Sequence, residues 1–507
     1  MGNAKCIGRV GTLAVALGIG VGLAATPWVA SAKPPSTDTT SSTDATASSD
    51  TCNCQKLRPV TVSTNGVVRV QGASTATSSG TGSVAIAKGA QSEATALNGS
   101  KAMAFGSGDT VAATGPNSRA LVIGDDSTAL AYGGSNNRAT VLGDNSTAVA
   151  GSFGTEADSA GSNNTATVKG DNSTANAGST LTTIGTDLIN SNNTATATGD
   201  NAFAQAGAEG SNNSDNTATA TNTGADGSAS AFAGSGGSGN TNNTATAYNS
   251  GTAGFAGAGA GVLGDSNSGN TANSFNSGDG SSTDAAAGGA GDSNSGNTAT
   301  ALNTGDGSNT VAEAGAWGIN NTDNTAIAIN IGDGSNTVVH AGFEGFGNSD
   351  NIATATNTGA DGQLFADAGV YGTNSSGNTA TATNSGDNSF MESAAGEGGD
   401  TNSGNTATAT NSGDNSTVIA DAGVSSTLEA APDGGNDSNN TATATNSADH
   451  GQAVAQAGFL GSNDTDNNAT ATNNADNASA NATAGSYGDN LSNYHAAAAN
   501  GSDDTQP

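Results

Sequence analysis

Seven aspartates fall at one position of a 27-residue unit: Asp279, Asp306, Asp333, Asp387, Asp414, Asp449 and Asp476. Each follows a short alternating run and sits among Gly, Asn and Ser. Carboxylates that recur once per structural unit stack, and stacked Asp and Asn oxygens are the hard ligands Ca²⁺ takes, about six to eight at a time. The spacing is not the Gly-Gly-x-Gly-x-Asp nonapeptide of calcium-binding β-rolls, and Asp is a turn former in its own right. Calcium is therefore the alternative chemistry of this chain, not the leading one.

The remaining reactive residues are sparse. Cys52 and Cys54 are the disulfide candidates. A ring closed across Asn53 is strained, so a bridge between two chains stands beside it. His340, His450 and His495 are single and lie in different units, which reads as three solvated side chains. Carboxylate neighbours such as Asp125-Asp126 and Asp503-Asp504 are adjacent in sequence and point apart or lie in loops. No catalytic constellation emerges, and solenoid enzymes acting on acidic polysaccharides would need cations that the repeats lack. An enzyme is not expected.

The elements that position these residues repeat. Units begin at Asn216, Asn243, Asn270, Asn297, Asn324, Asn351, Asn378, Asn405, Asn440 and Asn467; all steps are 27 residues except that from Asn405 to Asn440, which is 35. Counting from the first Asn, position 7 is always Asn, 3 and 18 always Ala, and 19 always Gly. Positions 2 to 6 read Thr-Ala-Thr-Ala-Thr, the alternation of a strand with two unlike faces. The invariant Ala face is the crowded inside; the Thr face, where Tyr248, Phe275, Leu302, Ile327 and Ile329 replace Thr, is the outside. A second strand is expected at positions 14 to 18. Gly at 9, 19 and 22 marks corners with positive φ. Asn at 1 and 7 should form amide ladders along the stack.

A fixed period of this size means stacked units. The expected fold is all-β: a parallel β-solenoid, of the β-helix or β-roll kind, with a thin Ala core. Leu, Ile, Val and Phe make up only 62 of 507 residues, which by composition alone favours disorder. The fixed columns and the low charge content, 11% of residues, argue against it.

Along the chain, residues 1–32 read as a secretory signal peptide, with Lys5 and Arg9 before an apolar run and Ala30-Ser31-Ala32 at the cleavage site. Residues 33–57 are a Ser/Thr-rich flexible spacer holding the Cys-x-Cys. Residues 58–82 form a hairpin or cap turning at Asn65-Gly66. From 83 to 215 the period is close to nine, marked by Ser83, Ser92, Ser100, Ser118, Ser127, Ser146 and Ser173. Nine divides 27, so the later unit, 216–493, reads as three elaborated segments. Residues 494–507 are a fraying tail. No membrane span is expected in the mature chain.

Charge divides the chain. After Lys169 there are 34 acidic residues and no Lys or Arg. This argues against nucleic acid and anionic membrane surfaces as partners of that region. It fits cations, a basic protein, a glycan or the extracellular matrix, and a homo-oligomer is compatible with it.

Segments such as Asp125-Asp-Ser-Thr-Ala-Leu-Ala-Tyr-Gly and Asp144-Asn-Ser-Thr-Ala-Val-Ala-Gly resemble the Ser-x-Ala-x-Gly head repeats of trimeric autotransporter adhesins, a resemblance that implies a β-roll binding host matrix proteins. The spacing is near nine rather than fourteen, and neither a coiled-coil stalk nor a C-terminal anchor accompanies it. The Asn-Ser-Gly-Asp and Asn-Thr-Gly phrases look like the tandem repeats of bacterial PPE-family surface proteins, without that family's N-terminal domain. The leader is similar to those of exported actinobacterial proteins. The leading expectation is an exported, non-enzymatic bacterial repeat protein, secreted or held at the cell envelope or surface, acting as a rigid acidic rod in adhesion or matrix interaction. The calcium-dependent β-roll is the alternative. Ice binding through Thr ladders is third, since the units at Asn378, Asn405 and Asn440 carry Thr at all three outward positions.

Overall fold

The computed structural model describes residues 60–500 with interruptions, the longest at 68–73, 152–161, 179–190, 425–438, 460–465 and 487–494. The described residues form 35 strands and no helix. Odd-numbered strands build one sheet (sheet A) and even-numbered strands a second (sheet B). After the first strand, each pairs in parallel with the strand two further along, as Thr406–Asn411 does with Thr441–Asn446 and Thr417–Ala422 with Gln452–Phe459. The chain is a parallel β-solenoid, one strand of each sheet per coil.

The alternation dictates this arrangement. Successive side chains on a strand point to opposite faces, so Ala at positions 3 and 5 of sheet A and at 16 and 18 of sheet B meet inside. Ala407, Ala409, Ala420 and Ala422 of one coil are all fully buried, and the same columns are fully buried in nearly every coil. Larger residues fill the core only locally, at Val122, Val141, Val339, Leu364, Met391 and Val418. A coil this thin buries too little apolar surface to stand alone, so its stability comes from its neighbours.

The nine-residue period of the first region is one strand plus one corner. Ile86 pairs with Met103, Met103 with Leu121 and Ala120 with Ala139, so two nine-residue segments complete one coil. The periodic serines sit inside the corners; Ser83, Ser92, Ser100, Ser127, Ser146 and Ser173 are at most 1% exposed. Ser100 Oγ donates to the carbonyl of Thr114 at 2.6 Å and to that of Leu97 at 2.8 Å.

The 27-residue unit is not three such segments. Among the described residues it has two strands, and the third segment runs as turns across the outer side of sheet B. The reason lies at position 20, where Ala316, Phe343 and Val370 are buried outside the coil and pack with Ala394. The longer step from Asn405 to Asn440 leaves the register of both sheets unbroken.

The corners also differ from expectation. Positive φ does fall on Gly at position 19, for example Gly315 at 60°. At position 9, however, Gly386 and Gly413 are absent from the positive-φ residues. There a Cβ would meet the carbonyl oxygen of the glycine one coil earlier at 2.0 and 2.2 Å, so close stacking requires glycine. The left-handed conformation belongs instead to position 11 (Asp361, Asn388, Asn415, His450) and to position 21, which holds Leu263, Ala290, Trp317, Glu344 and Tyr371. Bulky residues rarely adopt it.

At the N-terminal end, Val60–Ser63 lies antiparallel against Ala85–Lys88 and covers the first edge of sheet A. The expected return arm of a hairpin, near residues 68–70, lies outside the described residues. At the other end, sheet A continues into His495–Asn500, within the stretch read as a tail.

Candidate functional site

Three features of the stack could carry function: an acidic corner, a histidine cluster on sheet B and a threonine face on sheet A. Each arises because residues one repeat apart in sequence become neighbours about 4.8 Å apart along the axis.

The acidic corner is described at Asp387, Asp414 and Asp449, all exposed. The backbone N–H of Asp414 donates to Asp387 Oδ1 at 2.7 Å, and that of Asp449 to Asp414 Oδ1 at 3.1 Å. The following residues add backbone ties, Asn388 N–H to the Asp414 carbonyl at 2.7 Å and Asn415 N–H to the Asp449 carbonyl at 3.0 Å. These aspartates thus fasten one coil to the next. Asp279, Asp306, Asp333 and Asp476, together with Cys52 and Cys54, lie outside the described residues. Among the described residues no three His, Cys, Asp or Glu side chains are grouped to hold a metal ion.

His340 is not the solvated side chain expected. Position 17 of three consecutive units holds Glu313, His340 and Asp367, in direct register on sheet B. Nε2 of His340 is 3.3 Å from Asp367 Oδ2, and Nδ1 is 3.6 Å from Glu313 Oε1. The ring stacks on Phe343 with centroids 4.5 Å apart and planes 19° apart. Phe343 in turn meets Trp317 at 5.6 Å and Tyr371 at 5.8 Å, edge to face. The turn segment of the unit therefore folds over the imidazole and leaves its side chain 14% exposed.

Burial disfavours the charged ring. The hydrogen bond to Asp367, the pairing with Glu313 and the two negative charges outweigh burial and push the pKa up to about 9. One coil earlier, burial and then the charge of Glu313 push Asp284 up to about 7. At neutral pH the arrangement is an imidazolium clamped between two carboxylates in a region with no Lys or Arg. Such a clamp relieves repulsion between stacked acids and is sensitive to pH. Reading the aligned repeats column by column shows Glu, His and Asp in succession, a signal present in the sequence. His450, at a corner, and His495, on the last strand, are exposed and separate from it.

On the outer face of sheet A, Thr354, Thr381, Thr408, Thr443 and Thr470 form one in-register column, and Thr356, Thr383, Thr410, Thr445 and Thr472 a second beside it. Earlier in the same face Tyr248, Phe275, Leu302 and Ile329 stack in register instead.

Buried amides hold the stack beneath these surfaces. At position 1, Nδ2 of Asn243, Asn270, Asn297 and Asn324 each donates to Oδ1 of the Asn one coil earlier, at 2.6 to 2.7 Å. This is the expected ladder. At position 7 the expected ladder gives way to bonds with corner carbonyls, as from Asn411 to Gly413 at 2.6 Å and from Asn473 to Gly451 at 3.0 Å, while Asn411 reaches the amide oxygen of Asn446 only at 3.5 Å. A third column was not anticipated: at position 25, Asn348 and Asn402 donate to the carbonyls of Gly342 and Gly396 at 2.6 and 2.8 Å. Its signal, Asn at 240, 267, 294, 321, 348 and 402, is visible in the alignment of the units.

No family model, no curated protein and no solved structure matches this chain. Fold and surface chemistry define its class, a repetitive parallel β-solenoid. No helix among the described residues is long and apolar enough to cross a membrane.

Proposed function

We propose that the protein is an exported, non-enzymatic structural rod whose acidic outer columns serve adhesion or matrix interaction at or beyond the cell envelope. One observation carries this reading. The inner columns at positions 3, 5 and 18 keep Ala from coil to coil, with Ser274 the exception, while the outer columns, positions 4, 6, 15 and 17, change residue type along the stack. A scaffold that fixes its inside and varies its outside is built to present side chains. The likeness of its first coils to adhesin head repeats, and of its later phrases to PPE-type tandem repeats, points the same way. The test is binding of the secreted full chain to immobilised matrix proteins and glycans, against a column-neutralised variant. Saturable binding that depends on outer-column residues supports the reading; binding to no surface component counts against it.

The calcium-dependent β-roll draws support from the stacked carboxylates, whose mutual repulsion a divalent cation would relieve. Far-UV circular dichroism in EDTA and then in millimolar calcium separates it from the self-sufficient rod: a coil spectrum that becomes β only with calcium favours it. The paired Thr columns support a third reading, ice binding, which a thermal-hysteresis measurement tests.

A further inference from the structure

Against the acidity of the rest of the chain, the first coils carry a column of cations. Lys101, Arg119 and Arg138 stand one residue before the buried alanines Ala102, Ala120 and Ala139, at the start of three successive strands of sheet A, Met103–Phe105, Ala120–Ile123 and Ala139–Leu142. The registers Met103 to Leu121 and Ala120 to Ala139 place the three in line, one per coil. The backbone carries the alignment: the N–H of Ala120 donates to the carbonyl of Arg138 at 3.0 Å. All three side chains are exposed, and among the described residues none forms an ion pair. They line a shallow cleft of about 460 Å³ with the side chains of Asn117, Asn136 and Asn163. On the adjoining face of sheet A lie Ile123 and Leu142, 43% and 40% exposed.

We propose that this cleft docks the acidic corner column of a second copy of the same chain. Asp387, Asp414 and Asp449 present one exposed carboxylate per coil in later coils of the same stack. Both columns repeat at the rise of a parallel β-coil, about 4.8 Å. Cation and carboxylate therefore stay in step over three consecutive coils, which a partner of unrelated spacing would not match. Complementary columns of this kind set register and encounter rate more than raw affinity.

The edges also fix the symmetry. The cations stand in the corner where sheet A strands begin, the aspartates in the corner where they end. A contact between them joins unlike edges, so it is heterologous and repeats without closing. The product is a parallel, staggered lateral array of rods and not a closed dimer. This inference adds a partner to the proposed rod and depends on that reading only through the solenoid itself.

The experiment is sedimentation velocity of the full secreted chain at about 0.01 M and about 1 M salt, where the screening length falls from about 30 Å to about 3 Å. The expected result is a weight-average mass that at least roughly doubles at low salt, grows with concentration and returns to the monomer at high salt. A triple variant Lys101→Glu, Arg119→Glu, Arg138→Glu should stay monomeric, and so should Asp387→Lys, Asp414→Lys, Asp449→Lys. Mixing the two variants should restore assembly. Unchanged circular dichroism confirms that each variant is folded. A wild-type chain that is monomeric at both salts overturns the proposal, as does assembly that both variants retain. A monomer that instead binds heparin through the three cations also overturns it, because the occupant is then a soluble polyanion. Matrix binding retained by a monomeric chain leaves the rod reading standing while this inference fails.

Discussion

Gly315 lies against the amide of Asn324 so closely that a Cβ on the glycine would sit 2.3 Å from Asn324 Nδ2. The same glycine has φ at 60° and donates its N–H to the carbonyl of Ala287 at 2.8 Å. Position 19 is thus invariant for two independent reasons, a left-handed backbone and an amide ladder passing directly over it. Gly315→Ala is expected to cost about 2 kcal/mol or more, from the conformational term alone of about 1–2 kcal/mol plus displacement of the ladder. Gly289→Ala is the control: its Cβ would meet nothing nearer than the Ala316 carbonyl oxygen at 3.6 Å. Chemical denaturation of both variants decides whether position 19 is as constrained as its geometry implies.

The ladder itself can be cut. Asn297 donates to Asn270 Oδ1 at 2.7 Å and accepts from Asn324 Nδ2 at 2.6 Å and from the N–H of Thr322 at 3.2 Å. Asn297→Ala orphans the buried Nδ2 of Asn324 and the half-buried N–H of Thr322, for an expected loss of about 1–3 kcal/mol. In a one-dimensional stack the loss should remain local. Hydrogen exchange should rise in the coils on either side of Asn297 and stay unchanged near Asn440. A uniform rise along the rod would mean that it opens as one cooperative unit.

Three core threonines, Thr283, Thr310 and Thr337, stack in register at position 14, fully buried, with hydroxyls that have no hydrogen-bond partner. Burying an unpaired hydroxyl is costly, so Thr310→Val should stabilise the coil by about 1 kcal/mol. A comparable destabilisation would show that the hydroxyl is satisfied in solution, for instance by a buried water.

Two titrations weaken the middle of the rod as pH rises. His340 is raised from 6.5 to about 9, so its contribution is complete below 6.5 and is lost as pH climbs through about 9. Asp284 is raised from 3.8 to about 7; its contribution is complete below 3.8 and is lost as pH climbs through about 7. Opening of the coils between Asp284 and Asp367, corrected for the intrinsic exchange rate, should increase with pH by at most about tenfold per unit per titrating group. His340→Gln should remove the upper step and leave the lower one. An upper step that survives the substitution would assign it to another group.

Much of this architecture was legible in the sequence. The period, the two strands, the Ala interior and the position 1 ladder follow from alternation and from columns that never vary. What escaped depends on contacts between residues a full coil apart. His340 reads as solitary along the chain, because Glu313 and Asp367 are each 27 residues away and become neighbours only after stacking. The third segment of the unit, expected as a further elaborated nine-residue segment, runs as turns because its work is done by single buried residues such as Phe343 and Val370. Gly386 reads along the chain as a turn glycine, whereas stacking against the Gly359 carbonyl is what excludes a side chain there.

The central claim is that a chain this poor in large apolar residues folds as a self-sufficient parallel stack. Hydrogen exchange of the full chain in EDTA tests it most directly. Slow exchange is expected in the strands of both sheets, for example 406–411 and 417–422, with fast corners between and the pattern repeating every 27 residues along the units. Exchange at unfolded-chain rates throughout would contradict the account and leave a disordered acidic polymer in its place.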